Sequence, residues 1–185
     1  MIIDPGGNID SIEDYIDRNK LKMKAILNTH AHYDHIGAVN RLKKKYKIPF
    51  FLHSGDDALL KRANLYAKIF EGSKIIKIPE VDYFFDEIDI TNIIDFFHVD
   101  IIFTPGHTRG GVCIFVNKFL FTGDTLLKGE VGRTDLPGGN KTSLQNSLKI
   151  LSNLPSGTPI YPGHGIPSTI GEELKNNKSF SQISK

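Results

Sequence analysis

Hydrophobic residues in this chain recur at helical spacing in several long stretches. The spacing predicts a first helix over residues 11–19, starting at the Ser11 to Asp14 capping pattern. A C-terminal helix is predicted to begin after Thr169, with Glu172 three residues further on. The remaining helical patterns predict helices over 35–46, 54–70 and 142–154.

Short apolar runs between these helices predict β-strands. Strands are expected over 24–29 and 49–53, in a β-rich stretch from 75 to 121, and again around Ile160. Strands and helices alternate without an internal linker, which indicates an α/β (α+β) fold. At 185 residues with 39% hydrophobic content, we expect a single domain over residues 1–185.

Four metal-ligand side chains are concentrated in the six residues from 30 to 35, directly after an apolar run. The order is His30-x-His32-x-Asp34-His35. Residues two apart on a strand point the same way, so His30 and His32 can reach one point as the strand ends. Asp34 and His35 follow on the turn into the next helix and can face a second point. The motif therefore predicts two half-sites for two metal ions.

Three later apolar strands each end in one further ligand-type residue. These residues are His107, Asp124 and His164, and a glycine precedes each of them. Glycine lets the backbone turn sharply and approach an ion closely. Because an α/β scaffold places its chemistry beyond the carboxyl ends of its strands, the three residues are expected to complete the metal shell.

Composition excludes several other classes of function. The net charge is 23 − 21 = +2, too balanced to predict nucleic-acid or membrane binding. Apolar runs fall short of the roughly 20 residues of a membrane span, and the N-terminus lacks the pattern of a signal peptide. A single cysteine, Cys113, favours a cytoplasmic protein. The lysine run at 43–45 is interpreted as a solvated helix C-terminus.

The motif and the later ligands resemble the metallo-β-lactamase superfamily, and the match extends from Asp4-Pro5-Gly6-Gly7 through the segment 169–172. The resemblance implies a four-layer αββα sandwich. The family's N-terminal β-hairpin is expected to be missing, since only three residues precede Asp4. The resemblance also implies two metal ions held by seven residues: His30, His32 and His107 for the first, Asp34, His35 and His164 for the second, and Asp124 bridging both.

The segment 132–139 and the Gly165 after His164 are most similar to the small bacterial type II glyoxalase-like branch. This resemblance implies a hydrolase of thioesters such as S-acylglutathione, with a hydroxide bridging two divalent ions, zinc in the first place and iron or manganese otherwise. Asp34 and Asp124 are the carboxylates assigned to catalysis. Two ions, two carboxylates and the hydroxide leave a charge near +1, which favours a small anionic substrate.

Two residues beside the ligands are candidates for binding substrate. Arg133 could hold a substrate carboxylate through its fork, although a tie to Asp135 within its own loop explains it as well. Tyr33 lies inside the metal motif and could line the pocket or simply pack. The sequence leaves the native substrate and the oligomeric state open.

Two other functions stay open from the sequence alone. One is an iron-dependent persulfide dioxygenase, whose family shares the Gly-Arg-Thr-Asp segment and uses a mononuclear site matching His30, His107 and Asp124. The other is a metal-binding protein without activity in a form that lacks the hairpin. The complete set of seven ligands favours the hydrolase.

Overall fold

The computed structural model of the protein describes residues 1–72, 75–90, 93–94 and 98–183. The chain divides into two compact units, Met1–Asp89 and Ile90–Lys185, and each is described by itself. Parts of the β-rich stretch predicted from 75 to 121 lie outside the described residues. The assignment of the whole chain to one domain stays a prediction.

The first unit contains a four-stranded parallel sheet in the order β1-β2-β3-β4. Parallel neighbours need crossover connections, and each connection in this sheet carries helix. Every residue of β3 is buried, as expected for a strand covered on both faces. The strands are β1 (Ile2–Ile3), β2 (Ile26–Leu27), β3 (Phe50–Leu52) and β4 (Tyr83–Phe84).

The helices of the first unit match the predicted regions but not all of their ends. The Ser11 start was wrong: the first helix begins at Ile9, after Asn8 in a left-handed conformation with φ of 51°. The helices predicted over 35–46 and 54–70 are each divided, the second by Arg62. The helices are α1 (Ile9–Arg18), α2 (Tyr33–Ile36), α3 (Val39–Tyr46), a 3-10 turn (Ser54–Asp56), α4 (Asp57–Lys61) and α5 (Ala63–Glu71).

The second unit contains a five-stranded mixed sheet in the order β11-β10-β7-β6-β5 and a short β8-β9 ribbon. Only the β10 and β7 pair is parallel, and α6 forms the crossover between them. The strands are β5 (Val99–Phe103), β6 (Val112–Val116), β7 (Phe119–Gly123), β8 (Leu126–Leu127), β9 (Glu130–Val131), β10 (Pro159–Pro162) and β11 (Ser168–Thr169). Cys113 on β6 is fully buried, so it is positioned as a small hydrophobic residue.

Three helices complete the second unit: α6 (Lys141–Ser152), α7 (Ile170–Asn176) and α8 (Lys178–Ser181). The predicted cap at Thr169 is confirmed, because its hydroxyl accepts a 3.1 Å hydrogen bond from the Glu172 amide. Leu144, Leu148 and Leu151 of α6 pack into the apolar core of this unit. Within the described residues, every helix is too short and too polar to span a bilayer.

Candidate metal centre

The first unit places the histidine motif directly after β2, with His30 and His32 in the loop and Asp34 and His35 in α2, and β3 lies beside that strand. His30 and His35 are almost fully buried, at 2% and 3% exposure, and their ring centroids lie 4.0 Å apart. The His32 ring meets His30 edge-on at 4.8 Å. The Asp34 carboxylate lies 3.9 Å from Nε2 of His35. The loop and α2 therefore bring all four predicted ligands of this unit together.

Asp4, at the end of β1, fixes the orientation of two of these imidazoles. Its carboxylate can only accept, so Nδ1 of His35 carries a proton and donates it to Oδ2 at 3.1 Å. The Thr29 hydroxyl donates to the same oxygen at 2.5 Å and so accepts from Nδ1 of His30 at 3.0 Å. In both rings Nε2 then keeps its lone pair, the form in which histidine binds a metal.

Two further side chains hold the backbone of the loop. The Asn28 amide donates to the carbonyl oxygen of His35 at 2.9 Å and to that of His30 at 3.4 Å. The fully buried Asp56 accepts the Ala31 amide at 3.0 Å from the other side. The loop is thus clamped at both ends and in its middle, which pre-organises the ligands before any ion binds.

The second unit gathers its three predicted ligands around one carboxylate. Oδ2 of Asp124 lies 3.6 Å from Nε2 of His107 and 3.6 Å from Nε2 of His164. Nδ1 of His107 donates to the carbonyl oxygen of Arg133 at 2.8 Å, so in the neutral ring the lone pair lies on Nε2. The Asp124 side chain is mostly buried, while His164 is more than half exposed.

The donor geometry in each unit fits a divalent cation. With both rings neutral and Nδ1 donating, the Nε2 lone pair lies near a carboxylate oxygen at His107 and Asp124, and again at His35 and Asp34, so two acceptors are close together. Such a pair repels unless a positive charge lies between or beside the two atoms. Two ligands on one tetrahedral zinc ion, each near 2.1 Å from it, are about 3.4 Å apart, close to the 3.6 Å seen at Asp124.

The two substrate-binding candidates both have partners in their own unit. The Arg133 guanidinium forms a two-pronged salt bridge with Asp135, with both contacts at 2.7 Å. That ion pair lowers the pKa of Asp135 to about 2, chiefly through the Arg133 hydrogen bonds. Tyr33 stacks on Phe70 with ring centroids 6.5 Å apart. Substrate binding by Arg133 and Tyr33 stays a prediction.

Two histidines outside the motif differ from the ligands. His53 accepts the Gly55 amide at 3.0 Å and caps the 3-10 turn, as its position between a strand and a helix predicts. His98 is 71% exposed and lies 3.0 Å from the carboxylate of Asp100.

Sequence reasoning missed the roles of Asp4, Asn28, Thr29 and Asp56. For Asp4 a signal was present: it directly follows a short apolar run, as the later ligands follow apolar strands, and glycines lie close to it in the sequence. It also has a left-handed backbone, with φ of 47°. Asn28 and Asp56 act on backbone groups, and the Thr29 hydroxyl acts on a carboxylate and an imidazole. Their polar character alone does not distinguish them from loop residues.

A model of the metallo-beta-lactamase superfamily matches residues 1–164, and the chain belongs to that superfamily. Two relatives narrow this to its glyoxalase II-like branch. The probable metallo-hydrolase YqgX of Bacillus subtilis (strain 168) is 37% identical over 188 residues, which cover 100% of this chain and 88% of YqgX. The hydroxyacylglutathione hydrolase GloC of Haemophilus influenzae is 34% identical over 185 residues, 95% of this chain and 84% of GloC.

Solved structures support the same fold. The chain is similar to TTHA1623 in a di-iron-bound form, with a TM-score of 0.86, 34% identity, and coverage of 95% of this chain and 87% of that one. It is also similar to the B3 metallo-beta-lactamase BLEG-1, with a TM-score of 0.87, 35% identity, and coverage of 97% and 87%. The predicted metallo-β-lactamase-type fold is therefore confirmed, and the His/Asp cluster supports divalent metal ions in a member of a metallo-hydrolase superfamily.

Proposed function

We propose that this protein is a dinuclear metallohydrolase that cleaves thioesters of the S-acylglutathione type. The observation that carries the proposal is the approach of a histidine Nε2 to a carboxylate oxygen in each unit, at 3.9 Å for His35 and Asp34 and at 3.6 Å for His107 and Asp124. Relatives named as metallo-hydrolases and as a hydroxyacylglutathione hydrolase support the same reaction class.

The seven sequence-predicted residues are proposed to hold two divalent ions, with Asp124 as the shared carboxylate. Ions bound there would lower the pKa of water to about 7 and polarise the substrate carbonyl. The residues of the chain set the geometry for this chemistry: Asp4 and the Arg133 carbonyl keep Nδ1 of His35 and His107 protonated, so that Nε2 stays available. Asp34, Asp124 and a bound hydroxide would add three negative charges against the four positive ones of two divalent ions, and 4 − 3 = +1 favours an anionic substrate.

Small anionic thioesters are the proposed substrates, and Arg133 is the proposed contact for a substrate carboxylate. Its guanidinium would have to exchange Asp135 for that carboxylate. This exchange is feasible because Arg133 is 57% exposed and water screens the existing pair. Zinc is the proposed metal, with iron as the alternative that the di-iron form of TTHA1623 supports. A cytoplasmic location and the absence of nucleic-acid and membrane partners remain predictions from composition.

A substrate panel tests the reaction. Metal-loaded protein is assayed for thiol release from acyl-glutathione and acyl-coenzyme A thioesters, and separately against a chromogenic β-lactam. We expect thioester turnover that falls more than about a hundredfold in His107→Ala. The exposed His98 supplies the matched control, and His98→Ala should retain full activity. Turnover of the β-lactam but no thioester would move the assignment to the activity for which BLEG-1 is named.

Metal analysis tests the dinuclear centre independently of substrate. Two metal ions per chain are expected by elemental analysis, falling in Asp124→Asn because both ions are proposed to share that carboxylate. One iron per chain with sulfide-dependent oxygen uptake would contradict the hydrolase and favour the persulfide dioxygenase. Bound metal with no turnover of any substrate in the panel would favour the inactive alternative.

A further inference from the structure

A cavity in the first unit is lined by residues that include none of the seven predicted metal ligands. It has a volume of about 710 Å³ and lies between the N-terminal end of α1, one face of α3 and the segment 75–77. This volume is in the range that small-molecule sites occupy. Ile9 and Ile76 give it an apolar wall, while Lys44 and Lys77 bring two ammonium groups to its edge.

Lys44 differs from the other cationic residues of α3 in what it faces. The other three are paired with carboxylates: Arg41 with Asp10 and Glu13, Lys43 with Asp82, and Lys45 with Glu13 and Asp17. The neighbour of Lys44 is instead another cation, because the Lys77 side chain beside it lowers the pKa of Lys44. The described carboxylates therefore neutralise the other cations of α3, while the surface at Lys44 and Lys77 keeps its positive charge.

Other groups around the cavity leave this charge in place. Asp10 also lines the cavity, but its carboxylate accepts from the Arg41 guanidinium at 2.8 Å. The ten-residue helix α1 presents its first turn to the same space, and its N-cap residue Asn8 makes no side-chain capping bond. The partial positive charge at a helix N-terminus adds to that of the two lysines.

We propose that this cavity binds a small organic phosphate, with the phosphate group between Lys44 and Lys77 and the organic part against Ile9 and Ile76. A phosphate dianion has enough acceptor oxygens to take hydrogen bonds from both ammonium groups at once, and it removes their mutual repulsion. A lone carboxylate offers half that charge. The site would serve binding or regulation in addition to hydrolysis, since it contains none of the groups assigned to the metal centre.

The test is a titration of metal-loaded protein with phenyl phosphate, in which calorimetry measures Kd and amide NMR shifts locate the site. Wild-type protein should bind, with shifts at residues 6–10 and 75–77. Lys44→Ala and Lys77→Ala should each raise Kd at least about fivefold, because each removes one charge-assisted hydrogen bond. Lys149 lies exposed on α6 in the other unit, and Lys149→Ala is the matched control that should bind like wild type.

Three outcomes would overturn the proposed site, and a fourth would overturn the proposed class of ligand. The first is no measurable binding by wild-type protein, and the second is unchanged affinity in Lys44→Ala. The third is a set of shifts confined to residues 30–35 and the neighbourhood of His107, which would mean that the phosphate binds at the metal ligands instead. Inorganic phosphate should bind more weakly than phenyl phosphate because it leaves the apolar wall uncovered. Equal affinity for the two would overturn the assignment to an organic phosphate.

Discussion

Replacing Asp4 by asparagine should lower metal affinity about 10- to 100-fold while the protein stays folded. Asparagine tolerates the left-handed backbone at this position, and its remaining oxygen can still accept the Thr29 amide, which now donates to Oδ1 at 2.7 Å. Its NH₂ group, however, takes the place of Oδ2. That oxygen accepts both from the Thr29 hydroxyl and from Nδ1 of His35.

The two lost acceptors have different consequences. The Thr29 hydroxyl loses a hydrogen bond to a charged group, worth about 1.5–3 kcal/mol. His35 can recover a partner by moving its proton to Nε2, so that Nδ1 accepts from the new NH₂ group. This change preserves the fold but places a proton on the nitrogen that is proposed to bind metal. We therefore expect a loss of about 2 kcal/mol in unfolding free energy after chelation, against about 5–15 kcal/mol in total. The expected loss of metal affinity is 10- to 100-fold.

Three measurements separate these effects. Denaturant unfolding of chelator-treated protein gives the stability change, competition with a chromophoric chelator gives the metal affinity, and nitrogen NMR of the imidazoles reports which nitrogen of His35 is protonated. The matched control is Asp14→Asn, which removes an exposed carboxylate on α1 that pairs only within its own helix, with Arg18. Wild-type metal affinity in Asp4→Asn, or an unmoved proton on His35, would refute the reasoning.

Three further predictions concern packing, titration and metal removal. A Cβ at Gly6 would lie 1.5 Å from the carbonyl oxygen of Asp34, so Gly6→Ala should lower the unfolding free energy by more than about 2 kcal/mol. A Cβ at Gly7 meets nothing within 4 Å, so Gly7→Ala is the control that should unfold like wild type. Equal denaturation midpoints for the two variants would contradict this prediction. Carboxyl NMR should find the pKa of Asp135 at about 2, and Arg133→Gln should raise it toward its ordinary value. Because folding lowers this pKa, the ion pair stabilises the protein above the unfolded pKa near 4, and this stabilisation is lost as the pH falls toward 2. An Asp135 pKa that Arg133→Gln leaves unchanged would contradict the assigned cause. Chelation should lower the melting temperature, with recovery on adding zinc, and an unchanged melting temperature would argue against metal held by the folded state.

The sequence identifies the predicted ligands because their signal is local. The order His-x-His-x-Asp-His follows an apolar strand, and a glycine precedes each of His107, Asp124 and His164, so each residue could be recognised from its own neighbours. Within each unit the structure places these side chains close to one another, and their role as metal ligands stays a prediction. The alternation of strands and helices was likewise sufficient for the fold class.

What the sequence could not provide depends on contacts far apart along the chain. Asp4 acts on residues 25 and 31 positions away, and Asp56 acts on Ala31 at a separation of 25. The start of α1 was mispredicted at Ser11 because the helix uses a left-handed Asn8, with no capping side chain to mark it. The lysine run is only partly solvated. Lys43 and Lys45 form ion pairs with carboxylates on other segments, whereas Lys44 lies beside Lys77.

The hydrogen bonds of Asp4 make the metal ligands dependent on the docking of the first strand. Asp4 reaches Thr29 and His35 only while β1 lies beside β2, where the Asp4 amide donates to the Leu27 carbonyl at 3.1 Å. Fraying of this two-residue edge strand would therefore remove the hydrogen bonds that keep the protons of two imidazoles on Nδ1, without moving any predicted ligand directly. Metal occupancy and protection of the N-terminal amides from hydrogen exchange should rise and fall together.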